Sequence, residues 1–211
     1  TERNVVALFL NRGTPHTEAI RPLLAQYQVP LVAPSTGAMV LHQPVDPWIF
    51  NVRATYQREA DKAVRHLALM GMTRNALVHV DDRFGAHGAA AVVAQGTKEL
   101  REAGSRAQVV TLSNNASGGF IQQMGAHARG TIVTQVFPNE RAVSVPLVRE
   151  AVALAQAKGM TGVTPAMMEG FAAAKVLVEG LRRAGPNPTR ASLAAALGRM
   201  ERYDLGGMEM G

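Results

Sequence analysis

Two strand ends in the N-terminal part of the sequence carry small hydroxyl side chains that could bind a polar ligand. The segment "VVALFLNRGTPHTEAI" passes from an apolar strand into a helix with Thr14 as its candidate N-cap, and "PLVAPSTGA" passes from a second strand into Ser35, Thr36 and Gly37. Hydroxyls and backbone N–H groups at a helix start can hold a carboxylate. The same residue types are common in ordinary caps and turns. Taken alone, each segment is therefore more typical of a cap or a turn than of a ligand contact.

Two later segments also place polar or aromatic residues after an apolar strand. In "VHVDDRFGAHG", an exposed Phe84 could cover an apolar ligand, and a helix-staple contact is an equal alternative. Asp81 and Asp82 are neighbours whose side chains diverge, so we interpret them as solvated turn carboxylates rather than an acid–base pair. The loop "TLSNNASGG" begins at Ser113 and is dense in donors and acceptors, as a polar surface loop would also be.

The sequence contains none of the motifs that would indicate an enzyme or a cofactor. There is no GxGxxG pattern, no Walker lysine and no GxSxG elbow. The 6 histidines show neither HExxH nor HxH spacing, and there is no cysteine. We therefore expect a protein that is not an enzyme and that needs neither a cofactor nor a metal.

The charge distribution argues against nucleic acid as a partner. The formal net charge is +6, but the basic residues are dispersed and their only tight pair is Arg182-Arg183 at a predicted helix end. A nucleic-acid footprint requires clustered basic residues. No apolar run reaches the roughly 18–20 residues of a membrane span, so direct membrane insertion is not expected.

Alternating apolar strands and helices indicate an α/β fold with parallel sheets. The late part of the chain is helical without intervening strands, which means that one sheet does not follow the chain in order. Strands are predicted at 5–10, 29–33, 48–52, 76–80, 108–112 and 130–137, and helices at 15–27, 57–70, 86–103, 120–124, 144–158, 165–184 and 189–200.

Four segments in order carry a family resemblance: "GTPHTEAIRPLLAQYQVPLVAPSTGAMVL", "WIFNVRATYQREADKAVRHL", "VDDRFGAHG" and "TPAMMEGFAAAKVLVEGLRRAG". Together they resemble the type I periplasmic solute-binding proteins of ABC transporters, in the branched-chain (Leu/Ile/Val) amino-acid-binding group. The resemblance implies an α/β fold of two Rossmann-like lobes joined by three crossover strands, which close on a solute by a hinge. The implied domains are 1–55 with 138–203 for lobe 1, and 56–137 with 204–211 for lobe 2.

The resemblance also implies which residues contact the solute. The matched positions are Thr14, Ser35, Thr36, Gly37, Phe84 and Ser113. Ser113 stands where the family has an acidic residue that receives the ammonium group of an amino acid. The expected ligand is therefore an amino acid or a small carboxylate, an aromatic acid without an amine included, and Arg53 would not oppose an acid.

What the resemblance implies for biology is a periplasmic receptor, exported with a signal peptide that is removed, whose partner is an ABC transporter permease. A ligand-sensing regulatory domain on the same fold is the alternative. The family pattern has further elements before Thr1, around Thr97-Lys98 and after Met210, so we expect an incomplete copy of the fold. Either the sequence joins parts of a longer chain, or the protein is truncated.

Overall fold

The structure is a computed structural model that describes residues 4–76, 95–116 and 118–210. The chain divides into two compact units. Unit 1 comprises Thr1–Thr55 and Phe137–Gly211, and unit 2 comprises Tyr56–Val136. Each unit is built around its own parallel strands, as the alternation of apolar strands and helices predicts.

Unit 1 contains a parallel sheet in the order β1-β2-β3. Its strands are β1 (Leu8–Phe9), β2 (Leu31–Val32) and β3 (Ile49–Phe50). Helix α1 (Thr14–Tyr27) makes the crossover that a parallel β1–β2 pair needs. Parallel strands place their carboxyl ends at one edge, so the segments after β1 and β2 meet there. The ladders are shorter than the apolar runs that predicted them, although Val29 and Ala33, on either side of the paired residues of β2, are buried.

An apolar core holds the sheet of unit 1 against α1. Its buried members are Leu24, Leu31, Leu41 and Ile49, with Leu8, Ile20 and Trp48 packed against them. Leu24 comes from α1 and Leu31 from the central strand, so this core joins the helix to the sheet. Full burial of a leucine side chain stabilises a fold by about 1.5–3 kcal/mol. The strands of unit 1 are therefore stabilised by packing against α1.

Three further helices complete unit 1: α4 (Pro146–Ala157), α5 (Pro165–Ala184) and α6 (Arg190–Gly198). The helix starts predicted from Thr164-Pro165 and Thr189 are confirmed, since the side chains of both threonines cap their helices. Helices α5 and α6 approach closely at Gly180. A Cβ there would lie 2.7 Å from Leu197 Cδ2, so a larger residue at this position would force the Leu197 side chain to shift.

Unit 2 has a smaller set of described elements. Strands β4 (Val110–Thr111) and β5 (Ile132–Val133) are parallel and pair Val110 with Ile132. The helices are α2 (Tyr56–Leu69), a segment over 95–102, α3 (Gly118–Met124), and 3-10 turns at Ser113–Asn115 and Gly125–Ala128. Phe120 and Met124 of α3 form a buried apolar pair. The predicted strand at 76–80 and the start of the predicted helix at 86–103 lie outside the described residues.

The C-terminal residues differ from the sequence prediction, which placed 204–211 in the second lobe. They form a hairpin of β6 (Tyr203–Asp204) and β7 (Glu209–Met210) that groups with unit 1. The physical reason is its contact with the start of α4: Leu147 N donates to Gly206 O at 3.0 Å. Leu205, between the two strands, is fully buried.

Candidate functional site

Thr14 does not cap α1, contrary to the sequence prediction. The N-cap is Gly13, with φ 89°, a left-handed conformation that favours glycine, and Thr14 is the first helical residue. No side chain caps this helix, and its first turn contains no acidic residue. The Thr14 hydroxyl instead lies 2.7 Å from the Thr36 hydroxyl, and either oxygen can be the donor. The N-terminus of α1 thus keeps its positive dipole end without a neutralising side chain.

The loop after β2 lies beside this helix start. Ser35 N donates to Asn11 O at 2.8 Å, so the backbones after β1 and β2 remain paired beyond the ladder. Thr36 is buried and its Oγ1 accepts from Ala38 N at 3.3 Å. Gly37 is buried next to it. The structure therefore brings Thr14 and Thr36 into contact, with Ser35 and Gly37 adjacent in the same loop.

A second network, which the sequence analysis missed, fixes the turn that carries Thr14. Thr17 is fully buried, accepts from Asn11 Nδ2 at 2.8 Å and donates to Gly13 O at 2.9 Å. A threonine four residues after a helix N-cap can return its hydroxyl to that carbonyl, which is the sequence signal available. Asn11 and Thr17 hold the turn in one conformation, so Thr14 is positioned by the backbone rather than by its own cap.

Arg53 follows β3 and is the nearest basic residue to the third strand end of unit 1. Its side chain is almost fully buried, and its Nη1 lies 3.4 Å from Glu169 Oε2 of α5. Buried guanidinium groups need such a partner, because desolvating an unpaired charge costs several kcal/mol. This ion pair links the segment after β3 to α5.

Ser113 lies in unit 2, at the start of the 3-10 turn after β4. Its backbone N donates to Glu59 Oε2 at 3.0 Å, and Thr134 Oγ1, just after β5, donates to the same oxygen at 2.7 Å. Glu59 lies in the first turn of α2 and is only 5% exposed. The sequence analysis missed Glu59, because an acidic residue in a first helical turn is common at exposed positions.

The remaining sequence candidates contribute no described geometry. Phe84, Asp81 and Asp82 lie outside the described residues. Within 4–76, 95–116 and 118–210, no group of three acidic or histidine side chains is placed to hold a metal ion. None of the helices in that part of the chain combines the length and apolar character that a bilayer crossing requires.

Comparison with known proteins places the fold. The pattern of the periplasmic binding protein family matches residues 1–99 and 88–211. A substrate-binding periplasmic protein from Ralstonia solanacearum is 31% identical with a TM-score of 0.82, and the match covers 97% of this chain and 72% of that one. No curated protein sequence gives a significant match.

More distant relatives share the fold. A possible leucine/isoleucine/valine-binding protein from Rhodopirellula baltica is 21% identical with a TM-score of 0.80, covering 99% of this chain and 71% of that one. A fatty acid ABC transporter substrate-binding protein from Thermomonospora curvata is 14% identical with a TM-score of 0.78, covering 94% and 64%.

These relatives are longer than the present chain, as the predicted incomplete fold requires. The family consists of solute-binding receptors rather than enzymes. The chain therefore has the type I periplasmic binding protein fold, and it belongs to the periplasmic binding protein family.

Proposed function

We propose that this protein is the periplasmic solute receptor of an ABC importer and binds an amino acid or a small carboxylic acid, aromatic acids included. The carboxylate is held by the edge of unit 1 at Thr14 and the loop Ser35–Gly37. The family resemblance adds the closing of two lobes on the solute and the delivery of the solute to a permease. Phe84 and Ser113 complete the proposed set of ligand contacts.

The observation that carries the proposal is the contact between the Thr14 and Thr36 hydroxyls at 2.7 Å. Thr36 is buried and accepts from Ala38 N, whereas Thr14 is half-buried. When Thr36 donates its proton to Thr14 Oγ1, the Thr14 hydroxyl keeps its own proton to donate elsewhere. A carboxylate oxygen is a suitable acceptor, because a hydrogen bond to a charged group is stronger than one between neutral groups.

The charges around this edge also favour an acid. Helix α1 begins there without a side-chain cap or an acidic residue in its first turn, which favours a negative group. The proposed carboxylate contacts are hydroxyls and backbone N–H groups; Arg53, which pairs with Glu169, is not among them.

The named solutes of two relatives have one chemical group in common. The Rhodopirellula baltica relative is described as a possible binding protein for leucine, isoleucine and valine, and the Thermomonospora curvata relative as one for fatty acids. All of these solutes carry a carboxylate, whereas only the amino acids carry an amine. A site in unit 1 that recognises the carboxylate is compatible with both classes. Ser113, which stands in place of an acidic residue, does not require the solute to carry an ammonium group.

The proposal is tested by measuring solute binding to the wild-type protein and to Thr14→Val. Amino acids, aliphatic acids and aromatic acids are screened by thermal shift, and hits are titrated by calorimetry. Loss of one charge-assisted hydrogen bond of about 1.5–3 kcal/mol predicts a dissociation constant at least about ten-fold higher for Thr14→Val.

The matched control is Thr161→Val, an exposed threonine in a loop of the same unit, which should leave the dissociation constant unchanged. If no acid or amino acid binds the wild-type protein, or if Thr14→Val binds its best ligand as tightly as the wild type does, the proposed site is wrong.

A further inference from the structure

Glu59 joins two strand ends of unit 2 through a single oxygen atom. Its Oε2 accepts a hydrogen bond from Ser113 N at 3.0 Å and another from Thr134 Oγ1 at 2.7 Å. Ser113 follows β4 and Thr134 follows β5 directly, and these two strands are parallel neighbours. Both donors therefore lie at the carboxyl edge of the sheet, where α/β proteins bind their ligands.

Burying a carboxylate between two strand ends costs desolvation free energy. With 5% of its surface exposed, Glu59 loses most of its hydration, and that loss must be offset by strong hydrogen bonds. Hydrogen bonds to an ionised oxygen are roughly twice as strong as neutral ones. The carboxylate can therefore fix a backbone N–H and a hydroxyl more rigidly than an amide or a hydroxyl could in the same place.

The local structure shows what this rigidity acts on. Ser113 N is the first amide of the 3-10 turn Ser113–Asn115, and the turn continues with Asn115, whose Nδ2 donates to Thr111 Oγ1 at 2.7 Å. Asn115 ties the turn to β4 only, whereas Glu59 ties it to β5 and to α2. Glu59 thus adds a side-chain link between the start of the turn and Thr134 to the backbone hydrogen bond from Thr134 N to Thr111 O at 3.0 Å.

We infer that Glu59 is a positioning residue that sets the Ser113 turn and the end of β5 for solute binding without contacting the solute. This inference rests on the proposed function. In this role Glu59 acts as a hydrogen-bond acceptor, and the two hydrogen bonds at its Oε2 support solute binding. Its negative charge does not act on the solute directly.

The experiment compares Glu59→Ala with Glu59→Gln, whose amide oxygen can still accept both hydrogen bonds. Hydrogen exchange of a peptide covering 110–116 is measured without solute, and the dissociation constants of L-leucine and benzoate are measured by calorimetry. Glu59→Ala should exchange at least about ten-fold faster in this peptide and bind at least about ten-fold more weakly, the loss expected for one charge-assisted bond. Glu59→Gln should show a clearly smaller change than Glu59→Ala in both, because it keeps an acceptor but forms weaker, neutral hydrogen bonds.

Asp61→Asn is the matched control, because Asp61 lies on the same helix, is exposed, and pairs with Arg65 at the surface. It should change neither readout. If Glu59→Ala does not fold, Glu59→Asp, whose carboxylate is one methylene shorter, is expected to show both changes.

Three outcomes would overturn the inference. Unchanged exchange in Glu59→Ala would mean that Glu59 does not hold the turn. Faster exchange with unchanged affinity would make the role purely structural. Equal loss of affinity in Glu59→Gln and Glu59→Ala, with exchange in Glu59→Gln as slow as in the wild type, would mean that the charge itself acts on the solute. A wild-type protein that binds no acid or amino acid instead shows the failure of the proposed function, on which the inference depends.

Discussion

The two units stabilise the ends of their parallel strands by different means. In unit 1, the neutral hydroxyls of Thr14 and Thr36 contact each other, and Ser35 N donates to Asn11 O. An apolar core also packs the sheet of this unit against α1. In unit 2, the described strand ends converge on one buried carboxylate, Glu59.

The two edges differ in how many independent contacts hold them. The unit 1 edge is held by packing, backbone pairing and the Asn11–Thr17 network, so the Thr14–Thr36 hydroxyl pair is one of several contacts that order it. The unit 2 edge also has a backbone hydrogen bond, from Thr134 N to Thr111 O at 3.0 Å, but Ser113 N and the Thr134 hydroxyl share one acceptor, so a small change at Glu59 or its donors should have a large local effect. Three predictions test this contrast.

The largest effect on stability is expected from a cavity in the apolar core of unit 1. Leu24→Ala deletes a side chain that is 2% exposed and packs in the core with Leu31. Large-to-small changes at such positions lower the free energy of unfolding by about 3 kcal/mol, because they lose transfer energy and leave a cavity. Denaturation in urea measures the loss, and solute affinity at a temperature where the variant is folded should change little.

The control for Leu24→Ala is its neighbour on α1. Leu23 is 48% exposed, so Leu23→Ala should change the free energy of unfolding by no more than about 0.5 kcal/mol. Equal losses at the two positions would contradict the view that this core supports the unit 1 edge.

A smaller effect compares one hydroxyl from each unit. Thr134→Val removes a donor to the buried Glu59 carboxylate and should cost about 2 kcal/mol, as for a hydrogen bond to a charged group. Thr36→Val removes two neutral contacts of one hydroxyl, with Thr14 and with Ala38 N, the second of them long at 3.3 Å, and should cost about 1 kcal/mol. Hydrogen exchange of peptides from each unit reports where the stability is lost. A larger loss for Thr36→Val would reverse the comparison.

Thr131 supplies a control within unit 2. Its hydroxyl oxygen is buried and has no hydrogen-bond partner among the described residues. Replacing an unsatisfied hydroxyl with a methyl group removes a desolvated polar atom without breaking a bond. Thr131→Val should therefore be neutral or slightly stabilising, in contrast to Thr134→Val three residues later.

Local signals in the sequence predicted the elements of the fold better than their contacts. Helix starts at Thr164-Pro165 and Thr189 were predictable, because caps depend on residues within one turn. The sequence placed Thr14 and Thr36 only at two strand ends, and their contact was found because the parallel pairing of β1 with β2 brings these ends together. The wrong N-cap of α1 shows the limit of the same reasoning, since Gly13 could take a positive φ that Thr14 would take only with strain.

The network around Glu59 could not be predicted, because it depends on distant parts of the chain. Ser113 is 54 residues from Glu59 and Thr134 is 75 residues away, and no local pattern links them. The hairpin at the C-terminus was misplaced for a similar reason. Its assignment to unit 1 depends on the Leu147–Gly206 hydrogen bond and on burial of Leu205, neither of which leaves a periodic signal.

The smallest predicted effect sharpens the comparison by setting the buried Glu59 against a carboxylate near the surface. Glu179 on α5 accepts hydrogen bonds from Arg182 and Arg183, and these bonds lower the pKa of Glu179 to about 2 from 4.5. A lowered folded-state pKa means that the stabilisation is present above pH 4.5 and is lost as the pH falls towards 2.

We expect this contribution to be only about 0.5–1 kcal/mol at neutral pH, because Arg182 is 71% exposed and water and salt screen the pair. Glu179→Gln should therefore be less stable than the wild type at pH 7, equally stable near pH 2, and closer to the wild type at pH 7 in 1 M salt. Exposed Glu201, replaced by Gln, serves as the control for loss of a surface carboxylate and should change the free energy of unfolding at pH 7 by no more than about 0.5 kcal/mol. A difference that persists at pH 2 would mean that Glu179 acts through packing rather than charge. In that case unit 1, like unit 2, would depend on a carboxylate for its structure, and the contrast between the two units would be weaker.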